Sequence, residues 1–233
     1  MILKDFIRDK LFYNEFQPLW SNLSKSIFAY EALLRTPTKM NPTELFNYAR
    51  SRNLLYDLDI AAILNAVKEY PLKFLNEFYL FINIFPSTIV HKDFNSFLEK
   101  MIAVYPHIKG RVVFEINEDP IEENIWEQSS FKARLQLLKN EGFKLAFDDI
   151  KNIESSLCKI NNFCPHFVKL DRTFIKKLYL KEDQSGISFL QGDESVDIDL
   201  VIEGIETESD LLRAINMGIP IIQGYYISKP HRL

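Results

Sequence analysis

The chain has few of the residues that mark several common classes of protein. Only seven glycines occur among its 233 residues, and none forms the glycine-rich first turn that a doubly wound, nucleotide-binding sheet requires. No apolar run approaches the roughly 20 residues of a membrane span. The first residues, MILKDFIRDKLFYNEF, do not resemble a signal peptide. We therefore expect a cytoplasmic protein that does not associate with a membrane.

Cysteine, histidine and clustered positive charge are also scarce. Cys158 and Cys164 have neither zinc-knuckle nor redox-pair spacing, and we expect buried or semi-buried free thiols in a reducing compartment. The four histidines form no metal-spaced pair, which argues against a zinc hydrolase of the HExxH type. The net charge is −4 and no Lys/Arg-rich run occurs, so a polymeric nucleic acid is not an expected partner. An anionic small ligand is compatible with this charge if bound metal reverses the local field.

The chain does contain a repeated pattern in which a short apolar, β-rich run ends in a polar residue. Seven such runs end in a carboxylate, an amide or a lysine: FAYE at Glu31, YLFIN at Asn83, RVVFE at Glu115, KLAFDD at Asp148 and Asp149, FVK at Lys169, DLVIE at Glu203 and IPIIQ at Gln223. Helical periodicity separates most of the runs. In a closed parallel barrel the C-terminal ends of the strands meet at one face, so we expect these side chains to converge there.

The same pattern predicts an α/β fold, a modified TIM-like (β/α)8 barrel with its first strand antiparallel to the rest. The strands predicted near 12–19 and 27–34 are joined only by the turn SNLSKS. A parallel crossover needs a dozen or more residues, so this pair is predicted to be antiparallel. A helix is predicted to start at Pro42 after the cap Asn41, and others are predicted over about 57–70, 94–105, 131–140, 155–161, around 174–178 and from the cap Thr207 to Gly218. The polar stretch 181–197 is expected to hold a short or irregular helix.

The residues alone indicate metal-assisted chemistry. Adjacent Asp148 and Asp149 can hold two divalent ions that clamp the oxygens of a phosphoryl transfer, and oxygen ligands favour Mg²⁺ or Mn²⁺. Lys169 is placed to orient a nucleophile or to balance charge, although it could instead pair only with Asp171. A single glutamate at a strand end is usually a solvated loop residue, and Asp-Asp before a turn is often a helix cap. The recurrence over seven runs favours a metal-assisted phosphohydrolase.

The segment Tyr30–Arg35, YEALLR, resembles the signature of EAL domains, bacterial phosphodiesterases that linearise cyclic di-GMP. Six further similarities follow the same order as the family's motifs: FQP at 16–18, NIFP at 83–86 with Phe85 in place of a serine, FEINE at 114–118, VKLDRTFI at 168–175, VIEGIET at 201–207 and QGYYISKP at 223–230. Asp148 and Asp149 match the start of the family's DDFG loop. The resemblance covers about residues 12–230.

The resemblance implies a role for each strand-end residue. Five side chains would ligate two metal ions, Mg²⁺ or Mn²⁺, with Ca²⁺ expected to inhibit: Glu31, Asn83, Glu115, Asp148 and Asp149. Three side chains would serve catalysis, with Glu203 as the general base: Glu203, Lys169 and Gln223. Three would contact cyclic di-GMP: Gln17, Leu33 and Arg35. Two would support loops: Glu118, which braces the loop after Asp149, and Glu206.

The chain departs from the family in the loop after Asp149. It reads DDIKNIESSL where the family reads DDFGTGYSSL, so Lys151 and Ile153 replace both loop glycines. Without residues that readily adopt positive φ, the loop is expected to follow another path. A cyclic di-GMP phosphodiesterase is therefore the first hypothesis. A cyclic di-GMP receptor with little turnover is the second, and a protein-interaction domain without ligand is the third.

The expected organisation is a single EAL-type barrel domain over residues 1–233, with its core at about 12–230 and no attached sensor domain. No helix is predicted after the eighth strand, which would leave part of the barrel wall uncovered. Together with the resemblance, this predicts a homodimer.

Overall fold

Eight strands close into one barrel in the order in which they occur along the chain. The computed structural model describes residues 3–38, 40–174 and 198–233. The strands are β1 Tyr13–Ser21, β2 Ser26–Arg35, β3 Tyr79–Asn83, β4 Val112–Asn117, β5 Lys144–Ile150, β6 Phe167–Leu170, β7 Asp199–Ile202 and β8 Ile221–Ile222. The predicted continuation of a helix beyond residue 174, and the irregular helix expected within 181–197, lie outside the described residues.

Strand β1 is antiparallel to both of its neighbours, β2 and β8, whereas the other neighbouring strands are parallel. The short turn between β1 and β2 closes through a hydrogen bond of 3.0 Å from the Lys25 backbone N to the Ser21 backbone O. Lys25 takes a left-handed φ of 55° there. The prediction of an α/β barrel with a reversed first strand is confirmed.

Helices connect the parallel strands. The described residues include the α-helices α1 Leu3–Arg8, α2 Pro42–Ser51, α3 Leu55–Glu69, α4 Leu72–Leu75, α5 Pro86–Ile89, α6 Phe94–Val104, α7 Glu123–Trp126, α8 Ser129–Asn140, α9 Ile153–Phe163 and α10 Glu208–Asn216, and 3₁₀ turns span Pro106–Ile108 and Pro120–Glu122. Residues 172–174 are also helical. In the described part of the chain, no helix combines the length and apolarity that a membrane crossing needs.

The predicted helix ends are confirmed by their caps. The Asn41 side chain accepts a hydrogen bond of 2.9 Å from the Thr43 backbone N at the start of α2. Thr207 and Asp210 form a reciprocal capping box at the start of α10. Gly142 follows α8 with a φ of 90°, a value that only glycine adopts readily.

The barrel interior is filled by one apolar residue from each strand. These eight residues pack into a single cluster, here called the apolar ring: Leu19, Ala29, Phe81, Val113, Ala146, Phe167, Val201 and Ile221. A larger core lies between the strands and the surrounding helices. Side chains alternate between the two faces of a strand, so each strand contributes to both cores.

Two details of the outer structure concern sequence expectations. Cys158 and Cys164 are exposed free thiols, so the expectation of buried or semi-buried thiols is wrong; both lie on the solvent side of α9 or just after it. After β8 the chain turns, and His231 forms a β-bridge with Phe16 of β1.

Candidate active site

A layer of polar side chains lies next to the apolar ring, two residues further along each strand. In the seven strands that share one direction, the polar residue follows the ring residue, whereas in the reversed β1 the polar residue precedes the ring residue. The eight side chains of this polar layer are Gln17, Glu31, Asn83, Glu115, Asp148, Lys169, Glu203 and Gln223. Because side chains alternate with a period of two, ring residue and polar residue face the same side of each strand. This geometry brings the predicted strand-end residues together at one end of the barrel.

Lys169 is the centre of this layer, and its side chain is fully buried. Its Nζ lies 2.5 Å from Glu115 Oε1 and 2.6 Å from Glu203 Oε1. Two further carboxylate oxygens lie at 3.4 Å, from Asp148, and at 3.5 Å, from Glu31. The alternative that Lys169 only pairs with Asp171 is therefore wrong.

The carboxylates decide the protonation of Lys169. Burial by itself lowers the pKa of a lysine, but the attraction of Asp148, Glu115, Glu203 and Glu31 outweighs burial and raises the pKa well above its ordinary value. Lys169 is consequently a fixed positive charge inside the barrel.

The negative charge nevertheless exceeds what one lysine can balance. Burial, followed by repulsion from the neighbouring acids, raises the pKa of Glu115 well above its ordinary value. The same causes raise the pKa of Asp148 to about 6 and that of Glu203 to about 8, although Lys169 pulls both back. Such shifts are typical of carboxylates that lack sufficient cationic partners.

Glu31 differs from the other acids because it has more hydrogen-bond donors. Gln223 Nε2 donates to Glu31 Oε2 at 2.8 Å, and Asn83 Nδ2 donates to Glu31 Oε1 at 3.2 Å. Asn83 Nδ2 also donates to Glu115 Oε2 at 3.1 Å. Burial opposes the ionised form of Glu31, but Lys169 and these donors outweigh it and lower the pKa.

Asp149 joins the layer through a local irregularity of β5. In a regular strand, Asp148 and Asp149 would point to opposite faces. The pairing of β5 with β6 shifts register between Phe147 and Ile150, and Asp149 has a left-handed φ of 58°. Strand irregularities of this kind re-aim side chains next to active sites. As a result, Asp148, Asp149 and Glu203 each offer an oxygen within 4.8 Å of the others.

This donor set fits hard divalent cations. Carboxylate and amide oxygens are the ligands of Mg²⁺, Mn²⁺ and Ca²⁺ rather than of zinc or copper. Within the described residues, Gln223 Oε1 is buried and accepts no hydrogen bond, while Glu115 Oε1 and Asp148 Oδ1 are buried and share Lys169 as a cationic partner. Bound cations would also offset the excess negative charge that raises the pKa of Glu115 and Asp148.

A model of the family described as EAL domain matches residues 2–230. The chain belongs to the EAL domain family. Among curated proteins, it is 28% identical over 226 residues to cyclic di-GMP phosphodiesterase PdeA of Borreliella burgdorferi, covering 94% of this chain and 33% of PdeA. It is 25% identical over 239 residues to probable cyclic di-GMP phosphodiesterase PdeN of Escherichia coli, covering 96% of this chain and 44% of PdeN. The chain thus spans less than half the length of these relatives.

Solved structures of the family share the barrel. BlrP1 of Klebsiella pneumoniae, solved as a calcium/cy-diGMP complex, superimposes with a TM-score of 0.81 at 25% identity, covering 95% of this chain and 56% of BlrP1. The FimX EAL domain of Xanthomonas citri, solved in complex with c-diGMP, gives a TM-score of 0.83 at 18% identity, covering 99% of this chain and 92% of that chain. The second likeness concerns the fold alone.

Of the residues predicted to contact substrate, Gln17 belongs to the polar layer of this EAL domain, and Leu33 and Arg35 lie at the cavity beside it. Gln17 is paired with Glu31 in the β1–β2 register, and its Nε2 donates to the Ser228 backbone O at 3.1 Å. Arg35 Nε donates to Glu15 Oε2 at 2.8 Å. Leu33 and Arg35 line a cavity of about 350 Å³ that also reaches Asn83.

The two residues predicted to support loops have different surroundings. Glu118 accepts a hydrogen bond of 2.7 Å from Ser156 Oγ and lies 3.3 Å from Lys159 Nζ. Both partners belong to α9, whose first two residues are the last two of the glycine-free segment, residues 150–154. Glu118 therefore ties the end of β4 to the helix into which this segment runs. Glu206 instead pairs with Arg172 at 2.5 Å, on the exposed surface. The structure does not bring Glu206 into the polar layer.

Sequence reasoning missed Asn117 as a member of the site. Its Nδ2 donates to Asp149 Oδ2 at 2.6 Å, which fixes the carboxylate of the irregular residue. A signal for it exists, because Asn117 lies two residues beyond Glu115 on the same strand and so faces the same side. Sequence reasoning also missed Glu15, the partner of Arg35, which lies two residues before Gln17 on the reversed β1. No distinctive motif surrounds it.

Proposed function

We propose that the chain is a metal-dependent phosphodiesterase that hydrolyses cyclic di-GMP to linear pGpG. The single observation that carries the proposal is the convergence of four carboxylates around the fully buried Lys169 at one end of the barrel, with Asp149 beside two of them. Membership of the EAL family and the cyclic di-GMP phosphodiesterase names of the relatives support the choice of substrate.

Two divalent ions, Mg²⁺ or Mn²⁺, are proposed to be held by the strand-end oxygen donors: Glu31, Asn83, Glu115, Asp148 and Asp149. When bound, they would polarise the phosphoryl oxygens and lower the pKa of a water nucleophile. Ca²⁺ accepts looser, higher coordination than Mg²⁺, so we propose that it supports binding of the nucleotide without turnover.

The protein groups divide the remaining work. Glu203 is proposed as the general base, because its side chain is 22% exposed while its Oε1 is held 2.6 Å from Lys169. Lys169 is proposed to orient the nucleophile with its fixed charge. Gln223 is proposed to hold Glu31 in its ligating position through their 2.8 Å hydrogen bond.

Substrate is proposed to lie across the rim of the polar layer. Arg35 is proposed to contact a phosphate, with Glu15 fixing the guanidinium at 2.8 Å, and Leu33 and Gln17 to contact the nucleotide. Glu118 is proposed to brace the segment after Asp149 through Ser156 and Lys159. Glu206, paired with Arg172, is a weaker candidate for loop support.

The proposed organisation is a single barrel domain over residues 1–233 that forms a homodimer in the cytoplasm. The family resemblance supports dimer formation, and the two free cysteines fit a reducing compartment. Sedimentation at several protein concentrations tests the dimer, and a monomer at all of them would contradict it.

A turnover assay tests the function. Cyclic di-GMP is incubated with the protein and Mg²⁺, Mn²⁺ or Ca²⁺, and products are resolved by chromatography. Linear pGpG is expected with Mg²⁺ or Mn²⁺ and not with Ca²⁺. Glu203→Gln should abolish turnover, whereas the matched Glu141→Gln, at the exposed ion pair with Lys109, should retain it. No linear product with any metal, or full activity of Glu203→Gln, would sink the proposal.

A cyclic di-GMP receptor is the second candidate, and the glycine-free segment favours it. At the start of this segment, Asp149 itself takes the positive φ of 58°. Beyond its end, Ser156 and Lys159 on α9 are tied to Glu118. Both ends of the segment are therefore held in place. If loop movement is needed for turnover, the site would bind without hydrolysing. Calorimetry that detects saturable binding, together with null turnover in Mg²⁺ and Mn²⁺, would select the receptor. Absence of any nucleotide or metal binding would favour a protein-interaction domain.

A further inference from the structure

A cavity beside the polar layer has an aromatic side that the proposed chemistry does not use. Its volume is about 350 Å³, and its lining includes Asn83 and Asp149 of the polar layer together with Arg35, Phe46 and Phe85. Small-molecule sites in proteins range from about 300 to 1,000 Å³. A ligand that places a phosphate at the polar layer can therefore place an attached group in this cavity.

Two phenyl rings form one side of the cavity. Phe46 of α2 and Phe85, after β3, lie with ring centroids 5.1 Å apart and an interplanar angle of 55°. Both residues are only half-buried. We call this pair the aromatic wall. Half-buried rings that line a cavity are available for contact with an apolar or planar ligand group.

The position of Phe85 is fixed from two directions. Its backbone N donates to Asp59 Oδ2 at 3.0 Å, and the Arg50 guanidinium lies 5.3 Å from its ring centroid. Arg50 is in turn held by an ion pair with the buried Glu122 and by Asp119 at 3.6 Å. The aromatic wall is therefore organised before any ligand arrives.

The turn that carries Phe85 is fixed by the same acid. Glu122 Oε2 accepts from the Ser87 backbone N at 2.8 Å, and Glu122 Oε1 accepts from Ser87 Oγ at 2.7 Å. Asn83, a proposed metal ligand, lies only two residues before Phe85. This turn therefore also determines the position of the aromatic wall relative to that ligand.

A purine base matches the aromatic wall. Every nucleobase presents a π-face, and stacking on an aromatic side chain contributes roughly 1–3 kcal/mol per base. We propose that Phe85 is a specificity-determining residue. Its ring, together with that of Phe46, contacts the face of a purine base of the substrate beside the metal ligands. This inference rests on the proposed function. The family motif has serine at this position, and serine has no π-face.

Binding of cyclic di-GMP in Ca²⁺, measured by calorimetry, tests the inference. Phe85→Ser should weaken binding roughly 5- to 150-fold, whereas Phe85→Tyr, which keeps the ring, should bind as the unaltered protein does. Phe85→Leu keeps an apolar side chain but removes the π-face, and it should also bind more weakly. In turnover, KM should rise and kcat should stay unchanged, because the reacting groups are untouched.

The controls separate the possible failures. Affinity for Mn²⁺ without nucleotide, and the thermal midpoint, should be the same in Phe85→Leu and the unaltered protein. If the unaltered protein binds cyclic di-GMP and Phe85→Leu binds it equally tightly, the inference is overturned while the proposed function stands. If the unaltered protein does not bind cyclic di-GMP at all, both are overturned.

Discussion

Replacing Lys169 with methionine is predicted to destabilise the protein by about 3–5 kcal/mol, the cost of breaking a buried ion pair on one side. Its Nζ is fully buried and lies between 2.5 and 3.5 Å from oxygens of four carboxylates. Methionine fills a similar volume but leaves these acids without their shared cation. For a protein of this size, the predicted cost corresponds to a thermal midpoint lowered by roughly 6–20 °C.

The assay is guanidinium and thermal unfolding followed by circular dichroism, with EDTA present. Lys109→Met is the matched control, because Lys109 Nζ also lies close to a carboxylate, 2.7 Å from Glu141, but both side chains are more than a third exposed. Such a pair contributes at most about 1 kcal/mol. In a parallel series without EDTA, added Mn²⁺ should stabilise Lys169→Met more than the unaltered protein, because the four carboxylates that lose Lys169 attract the cation more strongly and binding to the folded state shifts the equilibrium. Equal destabilisation by the two substitutions would refute the reasoning.

Three smaller perturbations test other parts of the structure. Burial raises the pKa of Asp59 to about 7. Between about pH 4 and pH 7 the folded protein therefore keeps a proton that the unfolded chain has released. Over this window Asp59 makes the free energy of unfolding fall as the pH rises, by up to roughly 1.4 kcal/mol per pH unit. Asp59→Asn should therefore have a shallower pH dependence over this window in urea unfolding, and identical slopes would contradict the assignment. Asn117→Ala removes the donor 2.6 Å from Asp149 and should weaken Mn²⁺ binding roughly 10- to 100-fold in calorimetry; unchanged affinity would show that Asp149 needs no such support. Gly224→Ala would place a Cβ 2.1 Å from the Ile205 carbonyl oxygen. The loss of stability should be typical of overpacking, about 1–3 kcal/mol, and should lower the thermal midpoint. An unaltered midpoint would contradict this close approach.

Most of the barrel could be predicted from local features of the chain. The turn SNLSKS is too short for a crossover, which determines the direction of the first strand, and the caps at Asn41 and Thr207 mark helix starts within a residue. The polar residue at each strand end could be predicted because the period of two places it on the same side as the apolar ring residue before it.

The remaining features depend on contacts between distant segments. Asp149 takes its positive φ because β5 shifts register against β6. No sequence feature near Asp149 predicts that shift. The support of Phe85 by Asp59 and Arg50 joins two helices to the end of β3. The prediction of buried thiols is wrong because it rests on the usual burial of cysteine, whereas Cys158 lies on the exposed side of α9 and Cys164 caps its end, where it is also exposed.

A calorimetric titration with Mn²⁺ tests the central claim, that the polar layer is a metal site, most directly. The unaltered protein is predicted to bind Mn²⁺ saturably, and Glu115→Gln, within the fully buried part of the layer, to bind it far more weakly. The matched Glu141→Gln, at the exposed ion pair with Lys109, should bind as the unaltered protein does. No saturable binding by the unaltered protein, or equal binding by Glu115→Gln, would contradict the account.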